Sequence, residues 1–284
     1  MRWRTGTRSD NVEDRRGISG GKAGGLGIVG IIVVVILALV MGVDPTQFLT
    51  GTDLSLGSAP QSQLSQAEQN ILAENAALVL GDTEKTWAVI FEDQLGRTYT
   101  EPVLVLFTGG VDSACGYAST AVGPFYCPGD QKVYLDLDFF HELKANYGAS
   151  GDFAQAYVIT HEIGHHVQTL LGTIQYVNAK SRQVSEAEAN RLSVALELQA
   201  DCYAGVWANR AQYQDLILEK GDLEEALNAA NAIGDDTLQK QAQGYVVPDS
   251  FTHGTSAERV KWFRKGMDSG QVSACESPLL PAVI

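Results

Sequence analysis

Two histidines at positions i and i+4, with a glutamate beside the first, are the residues of this chain best suited to catalysis. They occur in His161-Glu162-Ile163-Gly164-His165. On an α-helix this spacing places both imidazoles about 40° apart and one turn along the axis, so both rings can bind one zinc ion. Glu162 then lies where a general base takes a proton from water. The sequence therefore predicts His161 and His165 as metal ligands and Glu162 as a catalytic residue.

The stretch around these histidines has the period of an α-helix. Between Phe153 and Gly172 apolar residues recur at steps of three and four, which is typical of an amphipathic helix. Ile163 lies about 200° around that helix from His161. We therefore expect the apolar stripe to face the core and the two histidines to face a cleft. The alternative is a helix whose histidines are incidental and bind nothing.

A catalytic zinc site needs a third protein ligand and leaves a fourth position for water. The extended pattern H-E-x-x-H-x-x-G-x-x-H does not supply it, because Gln168 and Leu171 replace its glycine and third histidine. A second predicted helix, at about 185–210, carries Glu197 and Asp201 at i and i+4. We predict that Glu197 completes a His-His-Glu set and that Asp201 accepts the free ring N–H of a ligand histidine.

Other interpretations of the acids on this second helix stay open. Glu197 and Asp201 could be two solvated carboxylates on a helix surface. Glu186 and Glu188 are weaker rivals as ligands, because they fall in the first turn, where Ser185 and Glu188 have the spacing of a capping box.

Two more histidines are candidates for supporting roles. His253 precedes a helix expected at 256–265, and an imidazole on such a loop could donate to the oxyanion of the tetrahedral transition state. We predict it as a catalytic residue, with a structural loop histidine as the alternative. His166 lies about 100° from the face that His165 presents to the metal, so a supporting or structural role is expected.

These motifs resemble those of the bacterial neutral zinc metallopeptidase family, which consists of single-pass membrane proteins with a zincin-like domain outside the cytoplasm. The resemblance covers nearly the whole chain apart from a linker. It rests on MRWR at 1–4, SDNVEDRR at 9–16, CG at 115–116, GPFYCP at 123–128, VYLD at 133–136, HEIGHH at 161–166, ELQAD at 197–201 and HG at 253–254. It implies zinc-dependent hydrolysis of peptide bonds and carries over no particular substrate.

One long apolar run sets the expected membrane topology. Residues 23–43 are 21 uncharged, mostly apolar positions, enough to cross a bilayer core. Six Arg or Lys residues precede the run, and Asp44 is the first charge after it. The positive-inside rule then places residues 1–22 in the cytoplasm and the rest outside. A cleaved signal peptide is the alternative, although the run is long for one and no A-x-A-like site follows closely.

The remaining patterns predict an α+β fold, a mainly helical zincin-like domain with a small sheet, preceded by one transmembrane helix. We expect a linker at 44–63, the domain at 64–279 and a frayed tail at 280–284. Further helices are expected at about 64–80, at 83–94 and after Asp222, and strands at 103–107 and 133–137. The second strand precedes the histidine helix, beside which zincins use an edge strand to bind extended substrate.

Charge and cysteine content constrain partners and compartment. A net charge of −14 argues against nucleic acid or anionic lipid headgroups as partners. The four cysteines all follow the apolar run, which predicts two disulfides in an oxidising compartment. Of three possible connectivities we favour Cys115–Cys127, which closes a Gly/Pro-rich loop, and Cys202–Cys275. Zinc binding by cysteines is the alternative, although the chain has no C-x-x-C pair.

The predicted function is that of a zinc-dependent neutral metalloendopeptidase with one zinc ion per chain. Its predicted partners are a peptide or protein substrate and, through residues 23–43, the bacterial cytoplasmic membrane, with the catalytic domain periplasmic or extracellular. Glu162 would pass a proton from water to the leaving amine. The alternative is a non-catalytic zincin-fold binding or scaffold protein at the membrane. An acidic sensor or inhibitor module would leave the His-Glu motif unexplained.

Overall fold

The computed structural model describes residues 6–17, 62–119, 122–148, 151–213 and 218–283, and its secondary structure is mainly helical with small sheets. The strands are β1 Val12–Asp14, β2 Val103–Phe107, β3 Gly110–Ser113, β4 Gly116–Ser119, β5 Phe125–Cys127 and β6 Lys132–Asp136. The helices are α1 Gln66–Leu95, α2 Asp138–Tyr147, α3 Asp152–Leu171, α4 Thr173–Ser181, α5 Glu186–Tyr213, α6 Asp222–Ala232, α7 Asp235–Gln243 and α8 Ser256–Ser269. The predicted α+β class is confirmed.

The larger sheet has the strand order β1-β2-β6-β5 within the described residues, and β3 pairs with β4 in a separate hairpin. β1, β2 and β6 run parallel, whereas β5 runs antiparallel to β6. The strand predicted at 133–137 corresponds to β6, which is flanked on both sides. The expectation that this strand forms the edge beside the histidine helix is therefore wrong, because β5 covers that side and is itself the edge.

Helix α3, which carries the histidine pair, runs through the centre of the core. Apolar side chains such as Tyr157 and Ile163 are buried there, but so are the polar side chains of Thr160, His166 and Gln168. α5, α6 and α1 pack around it. The two histidines face a cavity, as expected, but other polar side chains of this helix are buried as well, and Thr160, His166 and Gln168 are hydrogen-bonded within the protein.

Two glycines allow α5 to approach the helices on either side of it. A Cβ added at Gly164 of α3 would lie 2.9 Å from the carbonyl oxygen of Ala200, and one at Gly266 of α8 would lie 1.9 Å from that of Cys202. Gly266 therefore serves helix packing. The helix expected at 256–265 is too short, because α8 continues through Gly266 to Ser269, and Gly270, with a φ of 61°, forms its C-cap.

Helix α1 is one continuous element where two helices, at 64–80 and 83–94, were predicted. It begins at a capping box between Ser65 and Glu68 and ends at the left-handed Gly96. Gly81 and Asp82, which look like a break in the sequence, lie inside it. A glycine within a helix weakens it only modestly, so packing on both sides of the position keeps the helix continuous.

Both predicted tails contribute to the folded domain. Residues 12–14 of the predicted N-terminal tail form β1 and pair with β2. At the other end Leu280 and Val283 are only 7% and 6% exposed, so the segment predicted to fray is packed through these two residues. The domain therefore includes residues outside the predicted limits of 64 and 279.

Within the described residues, no helix has the length and hydropathy needed to cross a bilayer. The predicted span at 23–43 lies outside the described residues, and so does nearly all of the predicted linker at 44–63.

The predicted disulfides, Cys115–Cys127 and Cys202–Cys275, are both present. The first joins a turn of the β3–β4 hairpin to β5. The second joins the middle of α5 to the short 3-10 helix Val272–Cys275 near the C-terminus. The favoured pairing among the three connectivities is confirmed.

We expect that removing Cys202–Cys275, by Cys202→Ala with Cys275→Ala, lowers the free energy of unfolding by about 2–4 kcal/mol. The bond spans 73 residues, so its loss returns much conformational freedom to the unfolded chain. Guanidinium titration measures the effect. The matched pair Cys115→Ala with Cys127→Ala spans 12 residues and should cost less. A larger loss from the shorter loop would contradict this expectation.

Candidate metal centre

The side chains of His161, His165 and Glu197 converge on one point. Nε2 of His161 lies 3.1 Å from Oε2 of Glu197, and Nε2 of His165 lies 3.4 Å from Oε1 of the same carboxylate. The possible ligand atoms of all three residues lie within 4.8 Å of one another. α3 supplies the histidines one turn apart, and α5, brought close by Gly164, supplies Glu197.

Each imidazole is held through its other ring nitrogen. Nδ1 of His161 lies 2.8 Å from Oδ1 of Asp201, and Nδ1 of His165 lies 2.8 Å from Oε1 of Gln168. Gln168 donates its amide hydrogens to the Leu196 carbonyl oxygen and to Gln199, which turns its own oxygen toward His165. With Nδ1–H donated in this way, Nε2 of each ring is left with the lone pair that a metal ion needs.

The donor set and its surroundings fit a catalytic zinc ion. Two imidazole nitrogens and a carboxylate with room for a fourth ligand are the usual composition of such sites. The three residues line a cavity of about 570 Å³, and Glu162, 8% exposed, lines it too. The cavity is also lined by apolar side chains, which include Phe125, Phe139, Leu143, Val158 and Ile233.

Burial and neighbouring charges oppose each other at the three candidate ligands. Burial alone would lower the pKa of His161, but the charge of Asp201 and hydrogen bonds to Asp201 and Glu197 raise this pKa to about 10. The pKa of His165 is raised by Glu197 against the same effect of burial. Burial works to raise the pKa of Glu197, yet the two histidines hold it well below its usual range. A metal ion must therefore compete with protons at both rings.

A buried arginine that the sequence analysis missed anchors Asp201. Arg259 of α8, only 2% exposed, donates from Nε to Oδ2 of Asp201 at 2.9 Å and from Nη2 to Oδ1 at 3.0 Å. Tyr157, one turn before His161, donates its hydroxyl to the same carboxylate at 2.5 Å. Burial raises the pKa of Asp201, but the charges of Arg259 and His161 bring it to about 2. Asp201 is thus held ionised against His161.

We expect Arg259→Met to destabilise the domain by about 3–5 kcal/mol, because it leaves the buried Asp201 carboxylate without its guanidinium partner. Guanidinium titration of the purified protein measures the loss. Arg264→Met, at an exposed position of the same helix, is the matched control and should change stability by less than about 0.5 kcal/mol. Equal effects of the two substitutions would show that the buried ion pair has no special importance.

His166 connects the metal-binding helix to the edge strand. Its Nε2 donates to the Thr100 carbonyl oxygen at 2.6 Å, and its Nδ1 accepts from the Tyr126 hydroxyl at 3.1 Å. Burial lowers the pKa of His166 and raises that of Tyr126 to about 12, so both stay neutral at physiological pH. These contacts hold β5, which contains Tyr126, at a fixed distance from α3.

His253 lies at the rim of the same cavity, with its side chain 51% exposed. Its Nδ1 is 3.2 Å from Oδ1 of Asp235, and the other oxygen of Asp235 accepts the backbone N–H groups of Thr252, His253 and Gly254. The hydrogen bond to Asp235 raises the pKa of His253. Asp235 was not predicted, and no local spacing points to it, since it lies 18 residues before His253.

Comparisons with known proteins point to the same chemistry. Over residues 1–278 the chain matches the family described as "Putative neutral zinc metallopeptidase". It is 49% identical over 286 residues to the uncharacterized protein YpfJ of Escherichia coli (strain K12), with 98% of each chain covered. It is 39% identical over 258 residues to the uncharacterized protein Rv2575 of Mycobacterium tuberculosis (strain ATCC 25618 / H37Rv), with 84% of each covered. No solved structure matches the chain.

Proposed function

We propose that this chain, which belongs to the neutral zinc metallopeptidase family, is an endopeptidase whose zinc ion is held by His161, His165 and Glu197. The observation that carries the proposal is the convergence of these three side chains in a cavity that Glu162 also lines. Membership of this family supports a bound zinc ion and the hydrolysis of peptide bonds as the reaction. The assignment of each residue to a role rests on the geometry.

Glu162 is the proton carrier in the proposed reaction. When bound, zinc would polarise the peptide carbonyl and make water at the site more acidic. The Glu162 carboxylate takes a proton from the attacking water and delivers it to the amine nitrogen as the C–N bond breaks. Its near-complete burial keeps bulk water from competing for that proton.

His253 is the proposed stabiliser of the negative charge that develops on the carbonyl oxygen. Its Nδ1 is engaged by Asp235, which leaves Nε2 as the free donor, and the raised pKa favours the protonated ring. The hydrogen bond from a positively charged donor at the cavity rim becomes stronger as negative charge develops on the carbonyl oxygen. An interaction that is stronger in the transition state than in the bound substrate speeds the reaction.

The edge strand β5 is the proposed binding site for the substrate backbone. Within the described chain it is the outer strand of its sheet, and His166 fixes it beside α3. An extended peptide could pair with this edge, and its side chains could then reach the apolar wall formed by Phe125, Phe139 and Leu143. This arrangement favours a peptide with an apolar side chain near the cleaved bond.

The compartment of the domain also belongs to the proposal. Both disulfides lie within it, and disulfides persist in oxidising compartments. We place the catalytic domain outside the cytoplasm, with the apolar residues 23–43 attaching it to the membrane.

Digestion of a peptide library by the purified full-length protein tests the activity. Cleavage should disappear when a chelator removes zinc and return when zinc is added back. Cleavage that persists in the chelated protein would contradict zinc dependence. A protein with one bound zinc ion per chain that cleaves nothing would favour the alternative, a non-catalytic binding protein with the same fold.

A further inference from the structure

The N-terminal segment, residues 6–17, is built into the same sheet that borders the metal centre. Val12, Glu13 and Asp14 of β1 pair in parallel with residues 104–106 of β2. Leu104 donates its backbone N–H to the carbonyl oxygen of Asn11 at 2.9 Å, and Arg15 donates to that of Leu106 at 2.8 Å. The segment therefore completes one side of the sheet.

Polar side chains attach this segment to α1, to β6 and to the residues that precede β2. Glu84 of α1 accepts from the hydroxyl of Ser9 at 2.7 Å and from the amide of Asn11 at 2.8 Å. The same amide donates to Glu101 before β2, and Lys132 of β6 pairs with Glu13 at 2.5 Å. Ser9 is 4% exposed. These contacts give the SDNVEDRR motif a structural role. The catalytic proposal does not account for this motif.

Helix α1 is shaped to receive the segment. Ser9 donates its backbone N–H to the carbonyl oxygen of Ala77 at 3.0 Å. A Cβ at Gly81 would lie 2.2 Å from the carbonyl oxygen of Thr7 and 2.9 Å from the nitrogen of Ser9. Gly81 does not have a positive φ, so its backbone does not require glycine. The close passage of the N-terminal segment is what excludes a side chain there.

We infer that residues 6–17 and the catalytic domain lie on the same side of the membrane. Two segments hydrogen-bonded in one sheet cannot be separated by a hydrocarbon core about 30 Å thick. Leaving and returning would take two crossings of about 20 residues each, whereas the connection between them contains one apolar run of 21 residues.

A shared side of the membrane differs from the topology expected from charge alone. The positive-inside rule predicts a cytoplasmic N-terminus and an external domain, and one chain cannot have both that arrangement and the observed strand pairing. The disulfides place the shared side outside the cytoplasm. The shared side does not depend on the proposed peptidase activity, because the contacts that imply it lie away from the metal centre.

Labelling of the full chain in spheroplasts tests the inference. A cysteine is introduced either in the segment, by Asp10→Cys, or in the domain, by Lys240→Cys, both at exposed positions. A membrane-impermeant maleimide should give the two variants the same result, with labelling of both expected before lysis. Protection of both until lysis would also support one shared side, but it would move the domain to the cytoplasm. Labelling of Lys240→Cys alone before lysis would overturn the inference.

The docking itself is tested on the purified full-length protein with Gly81→Ala. Alanine favours a helix interior over glycine, so an unobstructed position would show a higher Tm. We expect a lower Tm and faster trypsin cleavage after Arg15 and Arg16, because the added methyl group displaces the segment. A higher Tm with unchanged cleavage would show that the segment is not docked on α1. Glu84→Ala, which removes the acceptor for Ser9 and Asn11 without obstructing the path, should also accelerate cleavage.

Discussion

Replacing Glu162 by glutamine should remove most of the proposed peptidase activity and leave the metal in place. The amide has nearly the same shape as the carboxylate but cannot take up the proton of water, so kcat/KM should fall by about 10²–10⁴-fold. Glu162 does not belong to the converging set of His161, His165 and Glu197, so zinc content should stay near one per chain. Initial rates on a peptide identified by the library, together with elemental analysis, measure both quantities.

A second carboxylate in the same cavity provides the control for this substitution. Glu142→Gln makes the identical chemical change on α2, in the wall of the cavity, and should alter kcat far less while keeping zinc. If Glu162→Gln cleaves peptide at the wild-type rate, the proposed proton transfer is wrong. If it loses zinc together with activity, Glu162 binds the metal and the assignment of ligands must change.

Replacing Glu197 by alanine has the second large expected effect, the loss of the zinc ion itself. Removing one of three ligands should weaken zinc binding by roughly 100-fold or more, since even partners of ligands contribute 10–100-fold. Asp201→Asn should accordingly weaken it less, because Asp201 contacts His161 and does not belong to the converging set. Competition with a chromophoric chelator gives the affinities of the purified variants without any measurement of activity.

Glu186→Ala is the matched control on the same helix. Glu186 is an exposed acid in the first turn of α5 and was the rival ligand in the sequence, so its replacement should leave zinc affinity unchanged. Unchanged affinity in Glu197→Ala, or a loss in Glu186→Ala, would contradict the His-His-Glu assignment.

Features set by neighbours within one helical turn could be read from the sequence. His161 and His165 share a face because the helix period places them there, whatever surrounds the helix. The capping box predicted at Ser185 follows the same rule, since it satisfies backbone groups only three residues away. Glu197 and Asp201 were predicted from the same helical period, and both lie on α5 in the structure.

The helix ends predicted next to two glycines are wrong, because a glycine can either permit a turn or permit a close contact. The predicted helices end at 265 and 80, directly before Gly266 and Gly81, yet both glycines lie inside helices. In each case a backbone from elsewhere in the chain passes where a side chain would be. The sequence around a glycine does not show whether the missing side chain permits a turn or a close contact.

Partners distant in the chain were decided by the tertiary structure alone. Arg259 reaches Asp201 across 58 residues, Asn11 reaches Glu101 across 90, and His166 meets Tyr126 across 40. None of these pairs has a period or motif, because their distances are set by how helices and strands pack after they form. The sequence by itself determined which residues could bind a metal ion and activate water. The packing of α5, α8 and the N-terminal strand determined which acid faces the histidines, which arginine holds their partner, and that residues 12–14 belong to the sheet.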